Sequence, residues 1–248
     1  MSPGDAILIT LAGMAAGMIN TVVGSGSLIT FPTLIALGYP PVLANVSNNI
    51  GLVPGALSGT IGYRRELRGQ RDRLRRLLPA SLLGGLVGSI LLLTLPSKVF
   101  TKVVIVLILI ALTLVVVQPR LSRWLAARGH AQSRVTPLLM VLVGGAGIYG
   151  GYFGAAQGII LIALLGLALA DDLQRLNAVK NVLAMSVNLV ASATFILATE
   201  IDWAIVACIA VGSVIGGQVG ATVGRRLDPR VLRGVIVVVG LSALIRLL

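Results

Sequence analysis

The chain has almost none of the residues that do covalent chemistry. It holds one histidine and one cysteine in 248 residues, too few for a Cys/His metal site. Cys208, being single, excludes an intrachain disulfide. His130 lies in a basic stretch with no acidic or thiol neighbour in the sequence. The carboxylates Asp5, Glu66, Asp72, Asp171, Asp172, Glu200, Asp202 and Asp228 all fall at the ends of apolar segments or between them. The expectation is a protein that is not an enzyme and needs no metal or cofactor. Charge is also scarce: 11% of residues are charged, against about 25% in an average soluble chain.

Apolar residues fill the space instead, at 56% of the chain, and they come in long runs. Ile105 to Val117 contains no polar side chain except Thr113. About 20 such residues cross the roughly 30 Å hydrocarbon core of a bilayer, and several runs of this kind cannot share one soluble core. The runs read as Ala6–Val23, Leu28–Leu37, Ala44–Tyr63, Leu77–Leu95 and Val99–Val117, then Pro137–Phe153, Ile159–Leu169, Leu176–Ala198, Trp203–Gly224 and Val231–Leu247. Met1 to Asp5 lacks the basic start of a cleavable signal, so the first run is expected to be retained.

The net charge is +12, which in a soluble protein would suggest nucleic acid. Here the arginines sit between apolar runs, so a membrane and its anionic lipid are the expected partners, with no nucleic acid. Arg64, Arg65, Arg68, Arg71, Arg73, Arg75 and Arg76 are expected to fall in one loop. Arg120, Arg123, Arg128 and Arg134 fall in a second, and Arg225, Arg226, Arg230 and Arg233 in a third. Placing all three in the cytoplasm puts Glu200 and Asp202 outside, together with both termini. The first pair of runs then enters and leaves by the outer face, and the pair Pro137–Leu169 by the inner face. Each pair is a helical hairpin broken at glycines, and the two hairpins point in opposite directions.

An internal repeat agrees with this count. Gly84, Gly85 and Gly88 recur 132 residues later as Gly216, Gly217 and Gly220; Leu95 and Val99 recur as Leu227 and Val231; Asn45 and Asn49 recur as Asn177 and Asn181. Gly17 and Gly24 recur 130 residues later as Gly147 and Gly154. The expected fold is an all-α polytopic inner-membrane protein. It is an inverted repeat of two homologous halves, each a broken hairpin plus three transmembrane helices. Residues 1–118 make the first repeat, 119–135 a basic cytoplasmic linker and 136–248 the second repeat. Inverted repeats with broken helices are the build of secondary transporters, with the substrate held where the breaks meet.

The candidate site follows from that build. At the first break stand Asn20, Gly24, Ser25, Gly26, Ser27 and Thr30; at the second, Gly154, Gln157 and Gly158. Half-helices that begin there would aim free N–H groups and a positive dipole end at an anion. Asn45, Asn48 and Asn49 share one helix face by their spacing, and Asn177, Lys180 and Asn181 repeat it, with Asn188 two turns further on. Lys180 is the one charged side chain clearly inside an apolar run, so it is expected either to face a substrate or to reach back to the interface. The ladders Gly51, Gly55, Gly59 and Gly212, Gly216, Gly220, Gly224 suit close helix packing or the seam of a homodimer.

These residues resemble a known family. Gly17-Met-Ile-Asn20-Thr-Val-Val-Gly24-Ser-Gly26-Ser, then Phe31-Pro32 and Pro40-Pro41-Val-Leu-Ala44-Asn, is similar to the sulfite exporter TauE/SafE family, also called the toluenesulfonate uptake permeases. The second half carries Gly147-Ile-Tyr-Gly150-Gly-Tyr-Phe-Gly154-Ala-Ala-Gln157-Gly158 and Leu176-Asn177-Ala-Val-Lys180-Asn181, and the resemblance covers nearly the whole chain. It implies a bacterial plasma-membrane permease for a small sulfur-containing anion such as sulfite or a sulfonate. An anion channel, or a membrane scaffold without substrate, are the other readings the residues allow.

Overall fold

In a computed structural model, residues 1–127, 134–222 and 229–247 are described. They form helices without a strand: α1 (Pro3–Val22), α2 (Ser27–Ala36), α3 (Pro41–Gly62), α4 (Arg71–Thr94), α5 (Ser97–Ala127), α6 (Pro137–Tyr152), α7 (Gln157–Ala168), α8 (Leu173–Ala198), α9 (Trp203–Thr222) and α10 (Pro229–Leu247). Each expected apolar run corresponds to a helix, most of them within a few residues, but α4 begins six residues before its run and α5 ends ten residues beyond its own. Five helices, α1, α4, α5, α8 and α9, are long and apolar enough to cross a membrane. α1 does more than the first arm of a hairpin was expected to do. Its 20 residues rise about 30 Å, enough to cross by themselves.

The first arginine cluster is corrected in one respect. Arg71, Arg73, Arg75 and Arg76 are not in a loop but in the first turns of α4. Arg120 and Arg123 likewise belong to α5, which runs on to Ala127 through the first half of the expected linker. Arginine is a good helix former, so nothing stops a membrane helix from continuing into the aqueous layer. Arg128, His130, Gly224, Arg225, Arg226 and Asp228 lie outside the described residues.

Large apolar side chains cover much of the surface, and polar groups are buried within a core that is itself mostly apolar. Leu138, Val141, Leu189, Leu197 and Val211 are exposed, while Asn45, Asn48, Asn177, Lys180 and Ser213 are buried. An apolar outer surface suits a lipid solvent, and the buried polar groups must then find partners inside the protein.

Two exchanged pairings organise the bundle. Along α9, Gly212, Gly216 and Gly220 lie in turn against Thr10, Met14 and Met18, so α1 and α9 run parallel in contact. Along α4, Gly84 lies against Gly144 and Ile148, and Gly88 against Ile148 and Tyr152, so α4 and α6 do the same. The two sets of contacts interconvert through the offsets of the sequence repeat. A hydrogen bond repeats as well: the Ser213 hydroxyl donates to Gly51 O at 2.9 Å and the Ser81 hydroxyl to Leu183 O at 3.2 Å. Each residue of one bond stands 132 positions from its counterpart. α10 packs on α2 and α5 on α7, with α3 and α8 together at the centre. The glycine ladders are therefore used inside the chain: Gly51 meets Ile209, Gly55 meets Ser213 and Gly59 meets Thr21, while the described α9 glycines receive α1 or α3. They do not form a free seam for a dimer.

The two ends of the bundle differ in charge. At one end the Tyr39 phenol is pushed above its usual value by burial and by the carboxylates of Asp202 and Asp5. At the other, Asp171 accepts from Arg73, from Gln70 at 3.1 Å and from Arg175 at 2.8 Å, tying α4 to the start of α8. Burial alone would push the Asp171 carboxyl up. The bonds from Arg73, the Asp172 N–H and Gln70 outweigh it and hold the carboxyl below the usual carboxylate value. The stability linked to that depression is fully present above the unfolded value of about 3.9 and is lost as pH falls through the lower folded value. Asp171→Asn should therefore cost about 1–2 kcal/mol near neutral pH. Thermal midpoints of the two proteins, followed down in pH, should converge in acid; a gap that stays constant would assign the loss to something other than this ionisation.

Candidate functional site: where the two helix breaks meet

Both hairpins break in the same way. At the end of α1 the N–H groups of Val23 and Gly24 both donate to Ile19 O, at 2.7 and 3.1 Å. At the end of α6 those of Phe153 and Gly154 both donate to Tyr149 O, at 3.0 and 3.1 Å. Gly24 and Gly154 then turn into the left-handed region, at φ +85° and +77°. Glycine adopts that conformation without the steric cost other residues bear. Ala156 adopts it as well, at φ +61°, just before α7.

The breaks touch. Gly158 N–H donates to Gly24 O at 3.0 Å, and neither residue has room for a Cβ. Phe31 of α2 and Phe153 meet edge to face, with ring centroids 5.2 Å apart. Side chains around the contact are deep in the protein: Ser25, Thr30 and Gln157 are buried, while Asn20, Ser27 and Gly154 are half-buried.

One expectation is corrected here. The half-helices do not present a row of free N–H groups. Leu28 N–H donates to Ser25 O and Ile29 N–H to Gly26 O; Gln157 N–H donates to Gly154 O, and Gly158 N–H to Gly24 O. Three of these bonds close a first turn on itself, one of the ordinary ways to satisfy a helix end, and the fourth crosses to the other break. What the breaks leave open is side-chain capacity. Ser25 Oγ and Gln157 Nε2 are buried without a hydrogen-bond partner, as are Ser47 Oγ and the Tyr152 hydroxyl.

The carbonyl ends of the broken helices pose the opposite problem, because buried carbonyls need donors. The two polar faces supply them across the halves. Asn45 Nδ2 on α3 donates to Tyr152 O at 3.0 Å. On α8, Asn177 Nδ2, Lys180 Nζ and Asn181 Nδ2 all reach Thr21 O, at 3.3, 3.4 and 3.4 Å, and Lys180 Nζ also reaches Asn20 O at 3.2 Å. Asn48 Oδ1 accepts from the Thr30 hydroxyl, and Asn49 Oδ1 from the Ser192 hydroxyl at 3.0 Å. Asn188 is buried further along α8.

The α8 arrangement is unbalanced. Three donors converge on one carbonyl that has two lone pairs, and all three distances exceed the usual 2.9–3.0 Å. Lys180 is 1% exposed and does not reach the interface. Among the described residues no carboxylate pairs with it; the ion pairs there are those of Asp171 with Arg73 and Arg175. Asn20, Thr21, Gly24, Ala56, Lys180, Asn181 and Ala184 line a cavity of about 10 Å³, room for roughly one water. Thr21, Ala56 and Ala184 were not among the expected site residues. They contribute a carbonyl oxygen or a small wall, and neither leaves a mark in the sequence.

The family model described as Sulfite exporter TauE/SafE matches residues 9–247. The chain belongs to the sulfite exporter TauE/SafE family. As the family is one of membrane transporters, this is a transport protein and not an enzyme. A "Probable membrane transporter protein" of Haemophilus influenzae is 27% identical over 91% of this chain and 88% of its own length. "Probable membrane transporter protein ORF9" of a Sinorhizobium species is 27% identical over 96% and 90%. "Probable membrane transporter protein YfcA" of Escherichia coli K12 is 25% identical over 91% and 83%. No solved structure matches the chain.

Proposed function

We propose that this TauE/SafE member is a secondary carrier for a small sulfur-containing anion, such as sulfite or an organosulfonate. The ligand would bind at the α1 break, against the Lys180 and Asn181 face of α8. One observation carries the reading: a buried lysine that has no carboxylate partner among the described residues shares an overcommitted carbonyl with two amides beside a cavity. Burying a lone charge is costly, and an anion would relieve that cost while giving each donor a stronger acceptor than Thr21 O. Asn177 completes the donor set. Gln157 and the Asn45, Asn48 and Asn49 face would form the corresponding polar surface around the second break, with Ser25 at the first.

With space for about one water, the cavity fits a closed site that must open to admit an oxyanion. Two oppositely inserted halves would provide that opening by rocking against each other, residues 1–118 against 136–248 with 119–135 between them. The exchanged, offset-matched contacts of α1 with α9 and of α4 with α6 support such a pseudo-symmetry. The arginine clusters favour a cytoplasmic position for their end, with both termini outside, in a bacterial plasma membrane.

Counterflow in proteoliposomes tests this reading. Labelled sulfite or a small sulfonate should accumulate against a trans gradient of the same anion, saturably, and be inhibited by other sulfonates but not by a neutral sulfone. Conductance without counterflow would indicate a channel. If no sulfur oxyanion is moved or shifts the thermal midpoint, the substrate class is wrong.

A further inference from the structure

The arginine-rich end of the bundle has a groove separate from the cavity at the helix breaks. We propose that the groove between the start of α4 and the start of α6 binds a phosphate-bearing anion. The groove holds about 360 Å³ and is lined by Asp72, Arg73, Arg76, Arg134 and Val135. Three guanidinium groups face one carboxylate there. Guanidinium forks match phosphate oxygens two at a time, which makes arginine the usual phosphate reader.

Arg73 is already positioned. Its Nη1 donates to Asp171 and, at 2.8 Å, to the Oε1 of fully buried Gln70. Arg76 and Arg134 are exposed, and among the described residues neither is in an ion pair. Their charges are thus available to a ligand, while Arg73 fixes one wall. α4 and α6 run parallel and in contact, so their N-terminal ends open on the same side and add positive potential to the groove.

The volume is more than an inorganic phosphate fills, and the surface beside it is built for lipid. Leu138 and Val141 of α6, one and two turns in from the groove, are 67% and 71% exposed. A phospholipid with its phosphate among the arginines would lay its chains along them. The shared chemistry is a phosphate oxyanion, from a lipid headgroup or free in solution.

The test titrates the full-length protein in detergent with inorganic phosphate, with short-chain phosphatidylglycerol and with short-chain phosphatidylcholine. Saturable binding of phosphate or of phosphatidylglycerol, above that of phosphatidylcholine, is the expected result. A response to phosphatidylglycerol alone assigns the site to a headgroup; a response to both admits free phosphate. Arg76→Gln with Arg134→Gln should weaken binding about tenfold or more, whereas Arg64→Gln with Arg68→Gln, which removes as much charge outside the groove, should leave it unchanged. Asp72→Asn removes the opposing carboxylate and should tighten binding several-fold, a gain that a damaged fold cannot imitate. No saturable binding to the wild type, equal losses in the two double variants, or no gain in Asp72→Asn would each overturn the proposal.

Discussion

Lys180→Met is expected to keep or raise the thermal midpoint while abolishing anion transport. The two effects separate because Lys180 does two things. As a structural group it donates to Asn20 O and Thr21 O at 3.2 and 3.4 Å, contacts long enough to be worth about 1 kcal/mol each at most. With no paired carboxylate among the described residues, its charged form carries a desolvation cost of several kcal/mol. Methionine has a similar shape and no charge. Replacing a buried ion by an apolar isostere is neutral or stabilising by about 1–4 kcal/mol in measured cases. Thr21 O would still have Asn177 and Asn181 as donors. Transport should respond in the other direction. Losing charge-assisted bonds to the anion, about 1.5–3 kcal/mol each, predicts a fall of roughly a hundredfold or to background. Lys180→Arg keeps the charge but must fit a larger head into a cavity of about 10 Å³, so partial activity with a lower midpoint is expected. The readouts are fluorimetric melting and counterflow on the same preparations. A large drop in melting temperature with transport intact would show that Lys180 only caps the end of α1.

Most of the helices, and the polar residues that gather around the helix breaks, could be read in the sequence, and the reason differs from residue to residue. Apolar runs are long because lipid offers no partner to a backbone group, so each helix announces itself by composition. The breaks were visible because only glycine takes φ near +80° freely, and Gly24 and Gly154 stand where the runs are interrupted. Lys180 and the asparagines stood out because polar side chains are rare inside apolar segments. The destination of their donors was not visible. Asn45 ends on Tyr152 O, and Asn177 and Asn181 end on Thr21 O, more than 100 positions away in sequence; a carbonyl is the same in every residue. The expectation of free N–H groups at the half-helices failed for a related reason. Whether a first turn tightens onto its own carbonyls depends on a residue or two of geometry at Ser25 and Gly154, not on residue type. The arginines of α4 and α5 were placed in loops because charge marks where lipid ends, which is not where a helix ends.

Three glycine-to-alanine substitutions should separate backbone strain from the contact between the two helix breaks. Gly38 has φ +87° and open space where a Cβ would stand, so Gly38→Ala adds backbone strain only, about 1–2 kcal/mol. Gly158, the first residue after Gln157 in α7, is not at positive φ, but a Cβ there would run into Gly24. Gly158→Ala therefore adds overpacking only, about 1–3 kcal/mol. Gly24 combines φ +85° with a collision against Gly158, so its cost should approach the sum of the other two, about 2–5 kcal/mol. Transport should not follow stability. Gly38→Ala lies in the turn between α2 and α3 and should move anions at close to the wild-type rate. Gly158→Ala and Gly24→Ala both wedge the breaks apart where Gly158 N–H donates to Gly24 O, and both should lose most of their counterflow even at temperatures where they stay folded. The comparison that matters is Gly38→Ala against Gly158→Ala, which are expected to be similar in stability and opposite in transport. If instead activity tracks the melting temperature across all three, the contact between the breaks is packing alone, and the anion must be held elsewhere in the bundle.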